Sequence, residues 1–459
     1  MKRKTFRGGV HPPERKERTD GLPVEAAFPP SRTVCIPVTQ GGAPNAPVVR
    51  EGDPVRRGQV IASSDSPVSV PVHASVSGTV KKIEKRLVTG NTEALCVVIE
   101  AAAEEDGAEG KTADMFLPPL DPFACTPDEA LARIRDAGIV GMGGAAFPAH
   151  VKFRPPADMP VQTVIANGAE CEPYLTADAC VLETGAAAVL DGLAIVMRIT
   201  GAKSGILALE DNKRRLLPGL EAALAAYSAR PEALPVSLAV CRTKYPQGAE
   251  KMLISALTGR EVPSGSIPAA AGCIVANVST LKAVSEAFRA GKPLIERVVT
   301  LSGGACREPR NLLVPVGTLV SDLIEGYSAL DSGVAEIVAG GPMMGVAVKS
   351  PAFPVAKNTS GVLFLTKKEA ALSEEGPCIG CGRCMQVCAC RLNPVLIVRA
   401  LKTGNLEAAK RFGLMDCVEC GTCAYVCPAS VKLVQRFKTG KFQVREEAAR
   451  AKERAQHTG

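Results

Sequence analysis

Residues 378–388 read CIGCGRCMQVC, and residues 417–428 read CVECGTCAYVCP. Both segments contain C-x2-C-x2-C-x3-C, the spacing with which four thiolates ligate [4Fe-4S] clusters. Zinc sites also need four ligands, but their C-x2-C pairs do not call for a third cysteine after two more residues. The pattern therefore predicts two [4Fe-4S] clusters and single-electron transfer, which disfavours a simple hydrolase or a plain binding module.

The ligands divide between the two motifs, because in two-cluster ferredoxins the fourth cysteine of each motif ligates the other cluster. We expect cluster one to be held by Cys378, Cys381, Cys384 and Cys427. We expect cluster two to be held by Cys417, Cys420, Cys423 and Cys388. The first motif continues as Cys388-Ala389-Cys390 without the usual proline, so Cys390 is a competing ligand that the spacing disfavours.

Helices are expected between the two motifs. Asn393-Pro394 is predicted to begin one helix and Gly404 to end it, and Asn405 is predicted to cap a second helix that stops near Gly413. The cluster region is therefore predicted to be a helical ferredoxin module.

The bulk composition predicts a modular globular protein. Its 459 residues exceed what one hydrophobic core usually covers, so we expect three or four domains. Nine of the seventeen cysteines lie between Cys378 and Cys427 at metal-ligand spacing, which predicts a reducing compartment instead of a disulfide framework. Residues 1–9 lack an apolar core, so no signal peptide is expected.

The net charge of +7 is concentrated at the two ends, in Lys2, Arg3, Lys4 and Arg7 and in residues 432–452. These ends are interpreted as solvated faces or, alternatively, as docking elements for an acidic partner or a membrane surface. Nucleic acid is disfavoured because the chain has no Trp and only 4% aromatic residues.

A small β-domain is predicted between residues 33 and 101, where β-rich runs at 33–38, 68–72 and 95–99 alternate with turns. The pattern resembles the barrel-sandwich fold of lipoyl and biotinyl carrier domains. No lysine lies near the expected hairpin between Ser64 and Pro71, so a structural role is expected instead of a swinging arm. His73 is expected to be a packing residue.

An α/β layer domain is predicted after a linker at residues 102–120. Helical patterning at 127–134 alternates there with strand-like runs, which lie at 163–166, 236–240 and 273–276. The apolar stretch 181–199 carries three charged residues, so it predicts a buried helix, and the chain itself is not expected to cross a membrane. Strand-like runs at 298–304 and 312–318 and a helix at 320–326 predict a further small α+β domain.

Two loops of the α/β domain are candidate binding elements. Residues 138–148 read GIVGMGGAAFP and precede Lys152, so the backbone could approach a phosphate or a ring closely, although a tight turn explains the glycines equally well. Residues 167–174 read NGAECEPY and follow a strand, where open α/β sheets bind ligands. Turn and cap chemistry explains Asn167 almost as well, and Cys171 is expected to be a buried small apolar residue.

These loops carry a family resemblance. Residues 141–147, 167–173, 245–250 and 277–280 occur in the order of the flavin mononucleotide (FMN) and NADH site of the NADH-binding subunit of respiratory complex I. Residues from 298 onward look like the β-grasp domain of that subunit. Together with TFRGGVHPP at residues 5–13, the barrel and the cluster motifs, nearly the whole chain resembles the RnfC family, the C subunits of Rnf electron transport complexes.

The resemblance implies that FMN and NAD(H) share a site without a separate catalytic side chain. That site would be lined by Gly141, Gly143, Gly144, Lys152, Asn167, Glu170, Tyr245, Gly248, Glu250, Asn277 and Thr280. Met142, Ala169, Ala249 and Ala276 replace the Arg, Asp, Glu and Asn that are usual in complex I. These departures affect the nicotinamide pose more than the flavin.

The resemblance also implies an arrangement of five segments. They are a barrel-sandwich domain with its N-terminal segment (1–115), a Rossmann-like flavin and NADH domain (120–297), a β-grasp domain (298–366), a helical two-cluster ferredoxin domain (367–437) and a basic tail (438–459).

The implied function is that of a peripheral subunit on the cytoplasmic face of the cell membrane. There it would exchange hydride between NAD(H) and FMN and pass single electrons through the clusters, within a ferredoxin:NAD oxidoreductase complex whose other members couple the reaction to ion transport. Ferredoxin would be an indirect partner. The alternatives are a soluble flavin and iron-sulfur reductase of the cobalamin reductase type and a cluster-bearing adaptor without NADH binding.

Overall fold

The computed structural model describes residues 3–102, 114–370 and 373–457. Lys2 and residues 103–113 of the predicted linker lie outside the described residues. Residues 4–13, which we call the strap, run in an extended path along the α/β domain. The strap amide of Lys4 donates to the carbonyl oxygen of Val240 (2.9 Å), and Val10 exchanges two backbone hydrogen bonds with Tyr245 (2.8 Å each). A short strand, β1 (Val24–Ala26), follows.

The β-domain consists of two antiparallel sheets, with strand orders β2-β8-β7-β4 and β3-β5-β6. Its strands are β2 (Thr33–Pro37), β3 (Ala46–Pro47), β4 (Pro54–Val55), β5 (Val60–Ser63), β6 (Val72–His73), β7 (Gly78–Val88) and β8 (Thr92–Ala101). Alternate residues of these strands, such as Ile36, Ile61 and Ile99, fill the core between the sheets. The predicted two-sheet β-domain is therefore present.

One predicted strand of this domain is wrong. Of the run at 68–72 only Val72 joins a strand, since the amide of Ser69 closes a turn on the carbonyl oxygen of Ser66 and Pro71 has no amide hydrogen to donate. His73 is buried, and burial lowers its pKa to about 3, so the ring is neutral and packs as expected.

The α/β domain is built on a four-stranded parallel sheet of order β11-β10-β9-β12. Its elements are α1 (Pro127–Asp136), α2 (Ala149–Lys152), β9 (Thr163–Gly168), α3 (Ala177–Thr200), β10 (Ser204–Glu210), α4 (Leu217–Ser228), β11 (Val236–Cys241), α5 (Glu250–Thr258), β12 (Cys273–Asn277) and α6 (Val278–Arg289). The chain passes from β9 to one side of the sheet and later returns to the other side with β12. The strand order therefore reverses between β9 and β12, which is where open parallel sheets form a ligand crevice.

Within the described residues, α3 alone is long and apolar enough to span a membrane by length and composition. Two thirds (67%) of its most apolar window is buried inside the protein, where α3 packs against α6 and the parallel sheet. The helix is therefore the buried core helix that the sequence predicts.

The next unit is a six-stranded mixed sheet of order β1-β14-β13-β17-β15-β16. It contains β13 (Glu296–Ser302), β14 (Arg310–Pro315), α7 (Val320–Tyr327), β15 (Val334–Ala339), β16 (Val346–Val348) and β17 (Gly361–Thr366). Buried Val320 and Leu323 of α7 pack in one core with Leu301 of β13. The predicted strands and helix are confirmed, and the sequence did not indicate that β1 adds a parallel strand to this sheet.

The cysteine region is helical, as predicted. It contains α8 (Arg383–Gln386), α9 (Pro394–Lys402), α10 (Leu406–Arg411), α11 (Thr422–Tyr425) and α12 (Leu433–His457). Asn393 caps α9 and Asn405 caps α10, because each side-chain oxygen accepts a hydrogen bond from an amide in the first turn. Helix α12 continues without a break from residue 437 to residue 438, where the basic tail was expected to begin. Phe437 is buried in the core of this region.

Candidate functional site

Two asparagines lie side by side at the point where the parallel sheet reverses its order. Asn167 near the end of β9 is in register with Asn277 at the end of β12. The Asn167 amide donates to the carbonyl oxygen of Gly248 (2.8 Å), and the Asn277 side chain caps α6 by accepting from the amide of Ser279 (2.9 Å). Both side chains therefore shape the crevice by holding the loops around it.

Residues 138–148, which we call the glycine loop, lie across the N-terminus of α6. The loop closes on itself when the amide of Gly141 donates to the carbonyl oxygen of Phe147 (2.8 Å), and the amide of Met142 donates to the hydroxyl oxygen of Thr280 (2.9 Å). A Cβ atom on Gly143 would lie 3.0 Å from Asn277, whereas a Cβ on Gly144 would meet nothing within 4 Å. The loop is therefore an exposed backbone surface that a flat or anionic ligand could approach closely.

The turn at residues 245–250 closes another side of the crevice. A Cβ on Gly248 would lie 2.1 Å from the carbonyl oxygen of Ala169, so the turn can approach this strand end only with glycine there. Lys152 at the end of α2 forms an ion pair with Glu250 at the start of α5. The structure thus brings all four predicted segments, 141–147, 167–173, 245–250 and 277–280, together with Lys152, to the same end of the sheet.

Buried acids lie behind the crevice. Glu170 accepts a hydrogen bond from the amide of Asp178 (2.9 Å), and Glu170 Oε2 lies 3.8 Å from Nζ of Lys16. The sequence did not single out Asp178, which accepts hydrogen bonds from Asn277 (2.6 Å) and Ser279 (2.9 Å). Burial, aided by the charge of Glu170, raises the pKa of Asp178 to about 6.

Arg297 is a second residue that the sequence did not indicate. Its guanidinium is buried and donates to the carbonyl oxygens of Met142 (3.0 Å) and Thr359 (2.8 Å), so it fixes the glycine loop from strand β13 of the mixed sheet. An arginine at the start of a strand-like run gave no signal of this role. Asp178 carried a weak signal, as an acid in the first turn of a helix that follows the loop after β9.

Several buried polar atoms around the crevice have no hydrogen-bond partner among the described residues. They include the hydroxyl of Tyr245, Oε2 of Glu170 and Nη1 of Arg297. Unpartnered buried polar groups cost free energy, and functional sites concentrate them because a ligand completes the hydrogen bonding. The open glycine surface and these unpartnered groups fit a bound flavin.

The predicted ligands of cluster two surround one cavity. It is lined by Cys417, Cys420, Cys423 and Cys388, and also by Cys390. Cys388 Sγ accepts a hydrogen bond from the amide of Leu392 (3.3 Å), just as Cys427 Sγ accepts from the amide of Val431 (3.4 Å), four residues later in each motif. The two fourth cysteines hold equivalent positions. Cys390, in contrast, also packs against an apolar group that contains Phe6 and Met252.

The predicted ligands of cluster one are more open. Cys378 and Cys381 are exposed and Cys384 and Cys427 are half-buried, whereas Cys420 and Cys423 of the other site are buried. Gly380 and Gly382 adopt left-handed conformations (φ 70° and 72°), which lets the backbone turn between the ligands. The two sites therefore differ strongly in their access to water.

The donor chemistry fits two cubane clusters. All seventeen cysteines are free thiols. In the part of the chain that the structure describes, no three His, Cys, Asp or Glu side chains converge as they would on a single metal ion. A cubane does not need such convergence, because each of its four thiolates binds a different iron and the ligands stand around a cavity.

A buried apolar group connects the crevice with the cavity of cluster two. It contains Val10 of the strap, Tyr245 and Cys420, with Cys171 and Met343 packed against it. Cys171 also accepts a hydrogen bond from the amide of Gly248 (3.3 Å). The strap holds this junction together, since Gly9 donates to the carbonyl oxygen of Val387 in the cysteine region (2.9 Å).

Three family matches cover these parts of the chain. Residues 4–104 match the RnfC barrel sandwich hybrid domain, residues 134–286 match the Nuo51 FMN-binding domain, and residues 371–428 match a 4Fe-4S dicluster domain. The chain is 44% identical to the RnfC-type subunit of the proton-translocating ferredoxin:NAD(+) oxidoreductase complex of Clostridium ljungdahlii, over 98% of this chain and 96% of the relative. The chain belongs to the RnfC family.

Other RnfC relatives are similar over nearly the whole chain. The corresponding subunit of the Na(+)-translocating ferredoxin:NAD(+) oxidoreductase complex of Acetobacterium woodii is 39% identical, over 97% of this chain and 98% of the relative. The corresponding subunit of the ion-translocating oxidoreductase complex of Rhodobacter capsulatus is 38% identical, over 97% and 84%. An NAD+-reducing [NiFe]-hydrogenase in its H2-reduced state aligns with a TM-score of 0.48 at 22% identity, over 70% of this chain and 63% of that chain.

Membership of the RnfC family confirms the predicted kinship, and the matched segments coincide with the described sites. The FMN-binding match contains the glycine loop, both asparagines and the turn at 245–250. The dicluster match contains all eight predicted cluster ligands. The RnfC match also covers the N-terminal barrel at residues 4–104, whose position at the start of the chain argues against the soluble cobalamin reductase alternative.

Proposed function

We propose that this chain is a peripheral subunit of a membrane-bound ferredoxin:NAD oxidoreductase complex, in which it exchanges electrons between NAD(H), FMN and two [4Fe-4S] clusters. Its relatives carry that activity in their names, and partner subunits would couple it to ion transport. The observation that carries the proposal is the buried apolar group that contains Val10, Tyr245 and Cys420. Through it, a crevice suited to hydride exchange and a cavity suited to single-electron transfer share a wall.

The flavin site is proposed to be the crevice at the end of the parallel sheet. The backbone of Gly141, Gly143 and Gly144 would approach the flavin, Lys152 would supply positive charge, and the unpartnered Tyr245 hydroxyl and Oε2 of Glu170 would face polar atoms of the ligands. Asn167, Gly248, Glu250, Asn277 and Thr280 hold the loops in these positions. A bound flavin supplies the conversion between a two-electron hydride and single electrons.

Cluster one is proposed to be held by Cys378, Cys381, Cys384 and Cys427, and cluster two by Cys417, Cys420, Cys423 and Cys388. The cavity of cluster two adjoins the crevice, and the open ligands of cluster one lie beside Ile379 (69% exposed) and Met385 (45% exposed). This arrangement supports an inner cluster next to the flavin and an outer cluster that faces a partner subunit.

The finer division of the chain is also a proposal. We assign a barrel-sandwich domain to 1–115, a Rossmann-like domain to 120–297, a β-grasp domain to 298–366, a helical ferredoxin domain to 367–437 and a tail to 438–459. The parallel sheet and the mixed sheet crossed by α7 support the second and third assignments. Strand β1 and the continuous helix α12 show that the chain crosses two of these limits.

The complex is proposed to carry this subunit on the cytoplasmic face of the membrane. All seventeen cysteines are free thiols, which suits a reducing compartment, and the apolar helix α3 is buried within the protein. Attachment would therefore come from partner subunits or from the basic ends of the chain.

Anaerobic purification from solubilised membranes tests the proposal. We expect partner subunits to co-purify, flavin absorbance to be present, and NADH to bleach the cluster absorbance. A chain that purifies alone with full NADH activity would support the soluble reductase. Bound flavin without any response to nicotinamide would support the adaptor, and a chain with neither flavin nor bleaching would refute the enzymatic proposal.

A further inference from the structure

The loop from Cys417 to Cys420 forms an ion pair that has no counterpart in the loop from Cys378 to Cys381. Nζ of Lys441 on α12 donates a hydrogen bond to the carbonyl oxygen of Cys417 and another to Oε1 of Glu419 (2.8 Å). Lys441 is only 6% exposed, so its charge is held against the main chain of a predicted ligand of cluster two. The corresponding position to Glu419 in the first loop is Gly380, which has no side chain to form such a pair.

Glu419 occupies a backbone conformation that suits glycine. Its φ is 58°, and Gly380 has φ 70° at the same place in its loop. A side chain costs free energy in this left-handed region, whereas glycine adopts it readily. The ion pair with Lys441 offsets that cost, and the amide of Glu419 donates to Cys417 Sγ (3.4 Å). Lys441 thus holds in place a loop whose Glu419 amide donates a hydrogen bond to Cys417 Sγ. It also places its own positive charge beside the same ligand.

A positive charge near an iron-sulfur cluster stabilises the reduced form, because reduction adds negative charge. Hydrogen bonds to the sulfurs and low solvent exposure also tune the reduction potential. At cluster two these factors occur together, and burial limits the screening of the Lys441 charge by salt. We propose that Lys441, together with Glu419, is a positioning residue that sets the reduction potential of cluster two apart from that of cluster one.

The inference rests on the proposed function, because it needs the two clusters with the ligands assigned above. Its predicted signs follow from charge alone. Lys441→Met removes the cation and leaves Glu419 uncompensated, so the potential of cluster two should fall. Glu419→Gln removes the carboxylate and leaves the cation, so the same potential should rise. The double variant should return towards the wild-type value.

The test is an anaerobic redox titration of the full-length protein, followed by electron paramagnetic resonance. Cluster two is identified as the signal that Cys420→Ser alters. We expect opposite shifts of this one midpoint potential in Lys441→Met and Glu419→Gln, with the other cluster unchanged. Lys438→Met is the matched control, because Lys438 is exposed on the same helix and should change neither potential.

Five outcomes decide the matter. Opposite shifts confined to one cluster support the inference. Two cubane signals with unchanged potentials in both variants overturn it, as do equal shifts of both clusters. If Lys441→Met loses a cluster, Glu419→Gln decides, since it retains the lysine. A wild-type protein without two cubane signals overturns the proposed function and this inference with it.

Discussion

Three carboxyl groups are buried near the crevice. Burial raises the pKa of Glu172 and of Glu210 to about 7 each and that of Asp178 to about 6. Between their ordinary values and these raised values the folded protein binds more protons than the unfolded chain does. These groups therefore make the apoprotein most stable at low pH, and their contribution is lost as the pH rises towards 7.

We predict that Glu210→Gln flattens this dependence. At pH 7.5 the variant should be more stable than the wild-type protein by about 1 kcal/mol, after allowance for the lost attraction to Lys16, because it no longer buries a carboxylate. At pH 5 the two should differ little. Thermal unfolding at both pH values measures the effect, with exposed Glu221→Gln as the control. The same pH dependence of the unfolding temperature in the wild-type protein and in Glu210→Gln would contradict the raised pKa of Glu210.

Gly248 decides whether the turn at 245–250 can close the crevice. Gly248→Ala would place a Cβ 2.1 Å from the carbonyl oxygen of Ala169, so the turn must move, at a cost of about 1 to 3 kcal/mol. We expect lower flavin content and a lower unfolding temperature. Gly219→Ala is the control, because a Cβ there meets nothing within 4 Å and alanine favours helix α4. Full flavin content in Gly248→Ala would argue against a site at this turn.

Cys388 and Cys390 both line the cavity of cluster two, and only one is needed as a ligand. Because Cys388 matches Cys427 in its hydrogen bond, we predict that Cys388→Ser loses about half of the bound iron. Cys390→Ser should retain all of it. Iron and sulfide analysis of both variants checks the assignment, and the reverse result would make Cys390 the ligand.

At the scale of elements, local chemistry accounts for what the sequence predicted. Asn393 and Asn405 cap the two helices whose starts they predicted, and strand β9 lies where its apolar run indicated. The run at 68–72 looked equally strand-like, but a turn and Pro71 limit its pairing to an isolated bridge between Ser69 and Gly42 and to Val72 in β6. The partner of a strand is set by distant residues, which is why β1 in the mixed sheet could not be anticipated.

The strap is one of the elements that fix the cysteine region against the α/β domain, beside direct bonds such as the ion pair of Arg391 with Glu261. Gly9→Ala would place a Cβ 2.6 Å from the carbonyl oxygen of Tyr245, so we predict a displaced strap. Flavin content should stay normal while reduction of the clusters by NADH slows at least tenfold. Gly21→Ala is a close control, because both glycines have φ 81° and Gly21 has only the Arg215 guanidinium at 3.9 Å. Equal rates in both variants would show that the strap does not matter.

At the scale of the whole molecule, the segments that form the crevice could be predicted, since their motifs kept their order along the chain. The buried residues that hold these segments in place could not be predicted. Asp178 acts through burial and hydrogen bonds to Asn277 and Ser279, and Arg297 acts through a buried contact between the mixed sheet and the glycine loop. Neither residue leaves a spacing pattern in the sequence. The same holds for Lys441, which stands in a basic tail and is nevertheless buried.

The unequal exposure of the cluster sites gives a prediction for the entire protein. Because Cys378 and Cys381 are exposed while Cys420 and Cys423 are buried, a chelator under mild oxidation should remove iron in two phases. The first phase should abolish the signal of cluster one alone, which paramagnetic resonance would follow over time. Loss of both signals at one rate would contradict the inner and outer arrangement.

The strap has a consequence for how the chain is made. It leaves the ribosome before its partners Tyr245 and Val387, which are synthesised far later. The strap must therefore wait for the cysteine region before it can settle. Until then the junction beside Cys420 is open to water and oxidants, so synthesis of the cysteine region is the event that closes the route of the electron.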